Sequence, residues 1–216
     1  MTTDAPTRRS WRDTAAVRVL GSVLGWFSTA LALTLLYRST EALAALGGSC
    51  ARGGPYVIAV ECTDAIALFM PLSIMGGLAV VTIANALAQG FGAPVWLYAW
   101  PGLFVSLSIV FFRTFLLGGD GVGLFLGLLF LVMGLAPLAL ILPAAPQRML
   151  IGRVDAQGRP FWEAHPARAH LLSLRPPAAP GENRASAADW ALSLGIAIGG
   201  SLLGVWVGAA WFASVA

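Results

Sequence analysis

The sequence predicts an all-α protein: a polytopic transmembrane helical bundle of five spans, N-terminus inside and C-terminus outside, with a short disulfide-closed outer loop. Three observations predict it. Charged residues make up only 11% of the 216 residues, hydrophobic residues reach 58%, and the mean hydropathy is +0.80. An average globular domain is about 25% charged. The few charges are also clustered, which leaves uncharged runs of 19 residues after Arg18, 48 after Asp64, 27 after Asp120 and 27 after Asp189. Finally, arginines are divided very unequally between the flanks of those runs.

A helix needs roughly 20 mainly apolar residues to cross about 30 Å of hydrocarbon. Residues 1–18 read as a cytoplasmic tail. Within it Thr7-Arg8-Arg9-Ser10-Trp11 loosely matches a twin-arginine signal, and Ala30-Leu31-Ala32 a cleavage site. The apolar run continues through Leu33 to Tyr37, where a signal would turn polar, so a retained anchor is expected. The first span is Val19 to Tyr37. An outer loop, residues 38–64, holds both cysteines of the chain, Cys50 and Cys62. Gly53-Gly54-Pro55 supplies a turn, and Tyr56 to Val60 a short returning strand. The 48-residue run is too long for one helix, and Gly90-Phe91-Gly92-Ala93-Pro94 breaks it. It yields spans Ala65 to Ala88 and Val95 to Leu117. A Gly118-Gly119-Asp120-Gly121 turn leads to the fourth span, Val122 to Pro143. Residues 19–145 thus form a four-span bundle, 146–189 a cytoplasmic loop, and 190–216 the fifth span, centred on Trp190 to Phe212.

Orientation follows from arginine counting, because cytoplasmic flanks carry the excess. The tail and the 146–189 loop share a side and hold ten arginines; the opposite side holds Arg38, Arg52 and, near its edge, Arg113. The N-terminus is therefore expected inside. That places the cysteine loop outside, where disulfides persist, and a Cys50–Cys62 bridge is expected. Two unpaired thiols are the alternative. A catalytic thiol pair is weaker, since the close Cys-x-x-Cys spacing is missing. The net charge of +3 needs no nucleic-acid partner, because topology explains it. All 13 basic residues are arginine, read as codon pressure from a GC-rich genome.

Chemistry inside the spans is sparse. Proton relays and ion-coupled transporters place ionisable groups there, yet these spans hold no acidic residue or histidine well inside. Arg113 is the one ionisable candidate, expected to snorkel to the headgroups with Asp120 as partner across the turn. Asn85 reads as an inter-helix or interfacial hydrogen-bonding group. Glycines recur at four-residue spacing: Gly21 and Gly25; Gly119, Gly123 and Gly127; Gly195 and Gly199; Gly200, Gly204 and Gly208. Such spacing stacks small residues on one face and lets another helix approach closely. Packing within the chain is the first expectation, and the last span is the candidate for contact with a second copy or another membrane protein. Pro71, Pro101 and Pro137 each remove a backbone donor and can kink a span. In the inner loop, Met149 to Val154 and Arg159 to Trp162 read as short strands, and Pro176 to Ala188 as a linker. His165 and His170 lack the further ligands of a zinc site. No phosphate-binding loop or catalytic set is evident, so no cofactor, metal or enzymatic activity is expected.

Two stretches carry a family resemblance. Gly47-Gly-Ser-Cys50-Ala-Arg-Gly-Gly-Pro-Tyr56, leading to Cys62-Thr-Asp64, resembles the first outer loop of uncharacterised actinobacterial integral membrane proteins. In these a cysteine precedes a Gly-Gly-Pro-Tyr turn and a second opens the next helix. Ala99-Trp-Pro-Gly-Leu-Phe-Val-Ser-Leu107 is similar to a Trp-Pro motif in their third span. Where such relatives tend to carry an acidic residue after that motif, this chain has Phe111-Phe-Arg113-Thr. The resemblance implies an actinobacterial plasma membrane and brings no activity. The functional expectation is a non-enzymatic, partner-binding membrane component in the lipid bilayer. A small transporter or channel subunit is the alternative, and a lipid-acting intramembrane enzyme comes third.

Overall fold

In hydrocarbon a backbone has no water to bond, so each uncharged run must satisfy its N–H and C=O groups within itself, and a helix does this. The computed structural model describes residues 15–53, 58–88, 95–119, 121–141 and 187–216. These form five long helices: α1 (Ala15–Ala45), α2 (Asp64–Ala88), α3 (Val95–Gly118), α4 (Gly121–Ile141) and α5 (Ala187–Val215). All five are long and apolar enough to cross a membrane. The expected inner-loop strands, His165, His170 and residues 176–186 of the linker lie outside the described residues, while the linker's last two residues, Ala187 and Ala188, open α5.

Helix ends differ from the expected spans where charge was taken as the boundary. α1 runs eight residues past Tyr37, because Glu41-Ala42-Leu43-Ala44-Ala45 are strong helix formers that propagate it past the first charges. It stops where Gly47 and Gly48 adopt φ of 90° and 86° and the Gly48 N–H reaches back to the Leu43 carbonyl, a glycine cap. At its other end α1 takes in Arg18, placed in the tail by sequence, and that side chain is fully buried. α2 opens on Thr63, whose hydroxyl accepts from the Ile66 N–H, with Asp64 favourably placed in the first turn. Directly after Pro71 the helix widens into a π turn, Leu72–Gly76, before resuming at Gly77–Ala88. Proline cannot supply the fourth-residue hydrogen bond, and the wider turn takes up the offset.

In the outer loop most of the expected Gly53-Gly54-Pro55 turn and the start of the expected Tyr56 to Val60 strand lie outside the described residues, and residues 58–60 are not in a strand. Among its described residues only an isolated bridge pairs Ala51 with Glu61, through Ala51 N–H to Val60 O at 3.0 Å and Cys62 N–H to Ala51 O at 3.1 Å. Cys50 and Cys62 form a disulfide with Cα atoms 5.0 Å apart.

α1 is the hub. It packs against α5, α2 and α3, while α4 packs on α3. Small residues set these contacts. A Cβ on Gly21 would lie 2.6 Å from the Ala88 nitrogen, and one on Gly77 2.8 Å from Ala32 Cβ, so α1 and α2 are antiparallel and close. Gly200, Gly204 and Gly208 meet Trp26, Phe27 and Thr34 in the same order along the chain, so α5 runs parallel to α1. Gly123, Gly127 and Gly134 face Phe115, Phe112 and Val105 in reverse order, making α3 and α4 antiparallel. Phe69 is fully buried against Trp211 and Phe212, with ring centroids 5.1 and 5.6 Å away, and joins Leu35 and Ala65 in the core. The outside is apolar: Met75 is 70% and Leu117 84% exposed, tolerable in lipid and not in water.

Candidate functional site

Charge is so scarce in the helices that its position singles out one site. Arg113 lies on α3 five residues before Gly118, and Glu41 lies on α1 four residues before Ala45. The parallel course of α1 and α3 brings them together at the end of the bundle that carries the disulfide loop. Arg113 Nη1 donates to Glu41 Oε1 and, at 3.2 Å, to the Tyr37 hydroxyl. Arg38, one turn earlier on α1, donates to the other carboxylate oxygen of Glu41 at 3.3 Å. One carboxylate therefore serves two guanidinium groups. An isolated arginine at a helix centre in the bilayer costs about 2.5–3.5 kcal/mol by insertion scales; pairing and proximity to the interface both reduce that.

The partner expected from sequence, Asp120, lies outside the described residues. The contacts seen run instead to α1, more than seventy residues away in the chain. Beside the cluster lies an open cleft of about 390 Å³, lined by Glu41, Ala44, Val110, Arg113, Thr114 and Leu117 among others. Its two charged groups sit in an otherwise mostly apolar wall. A second cavity, about 150 Å³, lies against the π turn between Ser28, Leu35, Ser73 and Trp211 and is almost wholly apolar. The exposed Arg52–Asp64 pair, 2.5 Å apart, ties the loop to the start of α2.

The other sequence candidates fall at separate places. Asn85 is half-buried near the end of α2 away from the disulfide loop. Gly21 and Gly25 hold α1 against α2, and Gly25 also meets Val95 at the start of α3. Gly123 and Gly127 hold α4 against α3, and Gly200, Gly204 and Gly208 hold α5 against α1. Gly119 packs nothing: it sits outside the helix at φ 67°, where its N–H bonds the Phe115 carbonyl and ends α3. Gly195 and Gly199 are exposed, and no described residue lies within 4 Å of a Cβ built on either. Glu41 and Tyr37 were not singled out in the sequence, nor were two polar ties between α3 and α4. The Ser108 hydroxyl donates to the Gly127 carbonyl at 2.8 Å, and Trp100 Nε1 to the Met133 carbonyl at 3.1 Å. Among the described residues no three His, Cys, Asp or Glu side chains gather as a metal site.

No known protein family, curated protein or solved structure matches this chain. Its helices and lipid-like exterior define a multi-pass membrane protein.

Proposed function

We propose that the chain is a partner-binding component of the plasma membrane without a catalytic centre of its own, and that it joins another membrane chain through α5. The observation that carries this reading is the second glycine face of that helix. Gly200, Gly204 and Gly208 are taken up by α1, while Gly195 and Gly199, one turn apart, stand open among the exposed Leu194, Ile198 and Leu202. In lipid, where apolar surface alone gives no drive to associate, small residues one turn apart allow the close backbone contact that does. The arginine distribution supports an N-terminus inside, and the outer-loop and Trp-Pro resemblance supports a place among actinobacterial integral membrane proteins.

Crosslinking in native membranes and light scattering in detergent test the reading. Gly199→Leu is expected to remove the crosslinked species and leave the fold intact, since a Cβ there meets none of the described residues. Gly204→Leu, whose Cβ would run into the Phe27 carbonyl oxygen, is expected to damage the fold itself. A wild-type chain that stays monomeric and recovers no partner would sink the proposal.

A further inference from the structure

Arg113 and Glu41 line the cleft between α1 and α3, and Arg38 stands beside it on the other oxygen of Glu41; among the described residues this ion cluster has an unbalanced charge. Arg38 and Arg113 together carry two positive charges, and Glu41 returns only one. Both guanidinium groups are about half exposed, at 48% and 52%, and each engages the protein through Nη1 only among the described residues. Their remaining N–H donors, a planar fork suited to phosphate, have no partner among the described residues. At 1.5 Å per residue Arg113 lies roughly 7–8 Å below the end of α3, within reach of the interface for a side chain that snorkels. The wall beyond the charges is apolar, formed by Ala44, Ala45, Val110 and Leu117, and the cleft is open at its side.

From these we infer that the cleft binds the phosphate-bearing headgroup of an anionic lipid, with Arg113 in its wall and the neighbouring Arg38 holding the phosphate and the apolar wall holding the start of the acyl chains. One lipid phosphate makes the cluster neutral, two cations against two anions. A zwitterionic lipid leaves the excess charge in place, so the site discriminates by net charge. The shape favours an amphiphile over a free anion, because most of the lining offers phosphate nothing to bond. This inference does not rest on the α5 contact.

The test uses the full-length protein in a mild non-ionic detergent, with short-chain phosphatidylglycerol or phosphatidylcholine added and bound lipid counted by native mass spectrometry. An arginine at a membrane surface is worth about 1 kcal/mol toward an anionic lipid, about fivefold in affinity. Phosphatidylglycerol is therefore expected to bind about tenfold or more tighter than phosphatidylcholine, and R38Q and R113Q each to weaken it about fivefold. Glu41→Gln removes the competing carboxylate and is expected to leave binding equal or tighter. Equal affinity for the two lipids, or unchanged binding in R38Q, overturns the inference. Loss of binding in E41Q overturns the charge-balance argument behind it. Inorganic phosphate, titrated alone, is expected to compete poorly; an affinity equal to the lipid's would give the site to a free anion instead. Should R113Q fail to fold, R38Q still decides, because the bond it removes lies within one helix.

Discussion

Pro137 leaves the Met133 carbonyl without the N–H that a helix normally supplies from four residues on. The indole of Trp100, on the neighbouring α3, supplies one at 3.1 Å. A freed carbonyl in hydrocarbon is costly, and a proline is tolerated in a span when a neighbour satisfies it. The tryptophan of the Trp-Pro motif thus repairs the defect made by a proline in a different helix. Inter-helix hydrogen bonds in membranes are worth about 0.6–2 kcal/mol. Trp100→Phe is therefore expected to destabilise the protein by that amount in the wild-type background. In a Pro137→Ala background the backbone donor returns, and the same change is expected to cost less. Reversible unfolding in mixed micelles measures all four corners of the cycle. An equal cost of Trp100→Phe in both backgrounds would show that the bond does not compensate the proline. Both prolines and the tryptophan are visible in the sequence, yet the bond joins residues 33 positions apart, and only the antiparallel register of α3 and α4 makes it.

At the scale of elements, the five helices were legible because their signals are strong and local. Uncharged runs of sufficient length, divided by Gly-Pro and Gly-Gly breaks, place α2 and α3 within a residue of the observed ends. The outer end of α1 was not legible in the same way. A count that stops at Arg38 misses a helix that continues through good helix formers into the interface. That error also hid Glu41, which a loop reading leaves unremarkable and a helix reading places one turn from Arg38 and opposite Arg113. The cysteine loop was legible from topology, since both thiols fall in one short segment on the side expected to be oxidising. Closing it removes loop entropy worth up to about 3 kcal/mol from the unfolded chain. Replacing both Cys50 and Cys62 with serine is expected to lower thermal stability while leaving helix content intact. Reductant should lower the melting temperature of the wild type toward that of the double variant and leave the variant unmoved. An unmoved wild type would show that the bridge constrains nothing that matters to folding.

At the scale of the whole molecule, the helix directions form a consistency test that hydropathy does not supply. Five spans crossing in turn require α1, α3 and α5 to point one way and α2 and α4 the other. The glycine contacts give the direction of each pairing separately: α5 parallel to α1, α2 antiparallel to α1, α4 antiparallel to α3. Arg113 meeting Tyr37 and Glu41 makes α3 parallel to α1 as well. An even number of crossings would have set α5 against α1, so the parallel register and the odd count stand or fall together. Arginine asymmetry then predicts the absolute sense, with ten arginines expected on the side of the tail and the 146–189 loop. A periplasm-active reporter fused after Ala216 is accordingly expected to be active, and the same reporter placed in the 146–189 loop to be silent. A membrane-impermeant thiol reagent applied to intact cells after mild reduction should label Cys50 and Cys62. Activity in both fusions would break the alternation, and labelling only after the cells are opened would reverse the orientation while leaving the bundle unchanged.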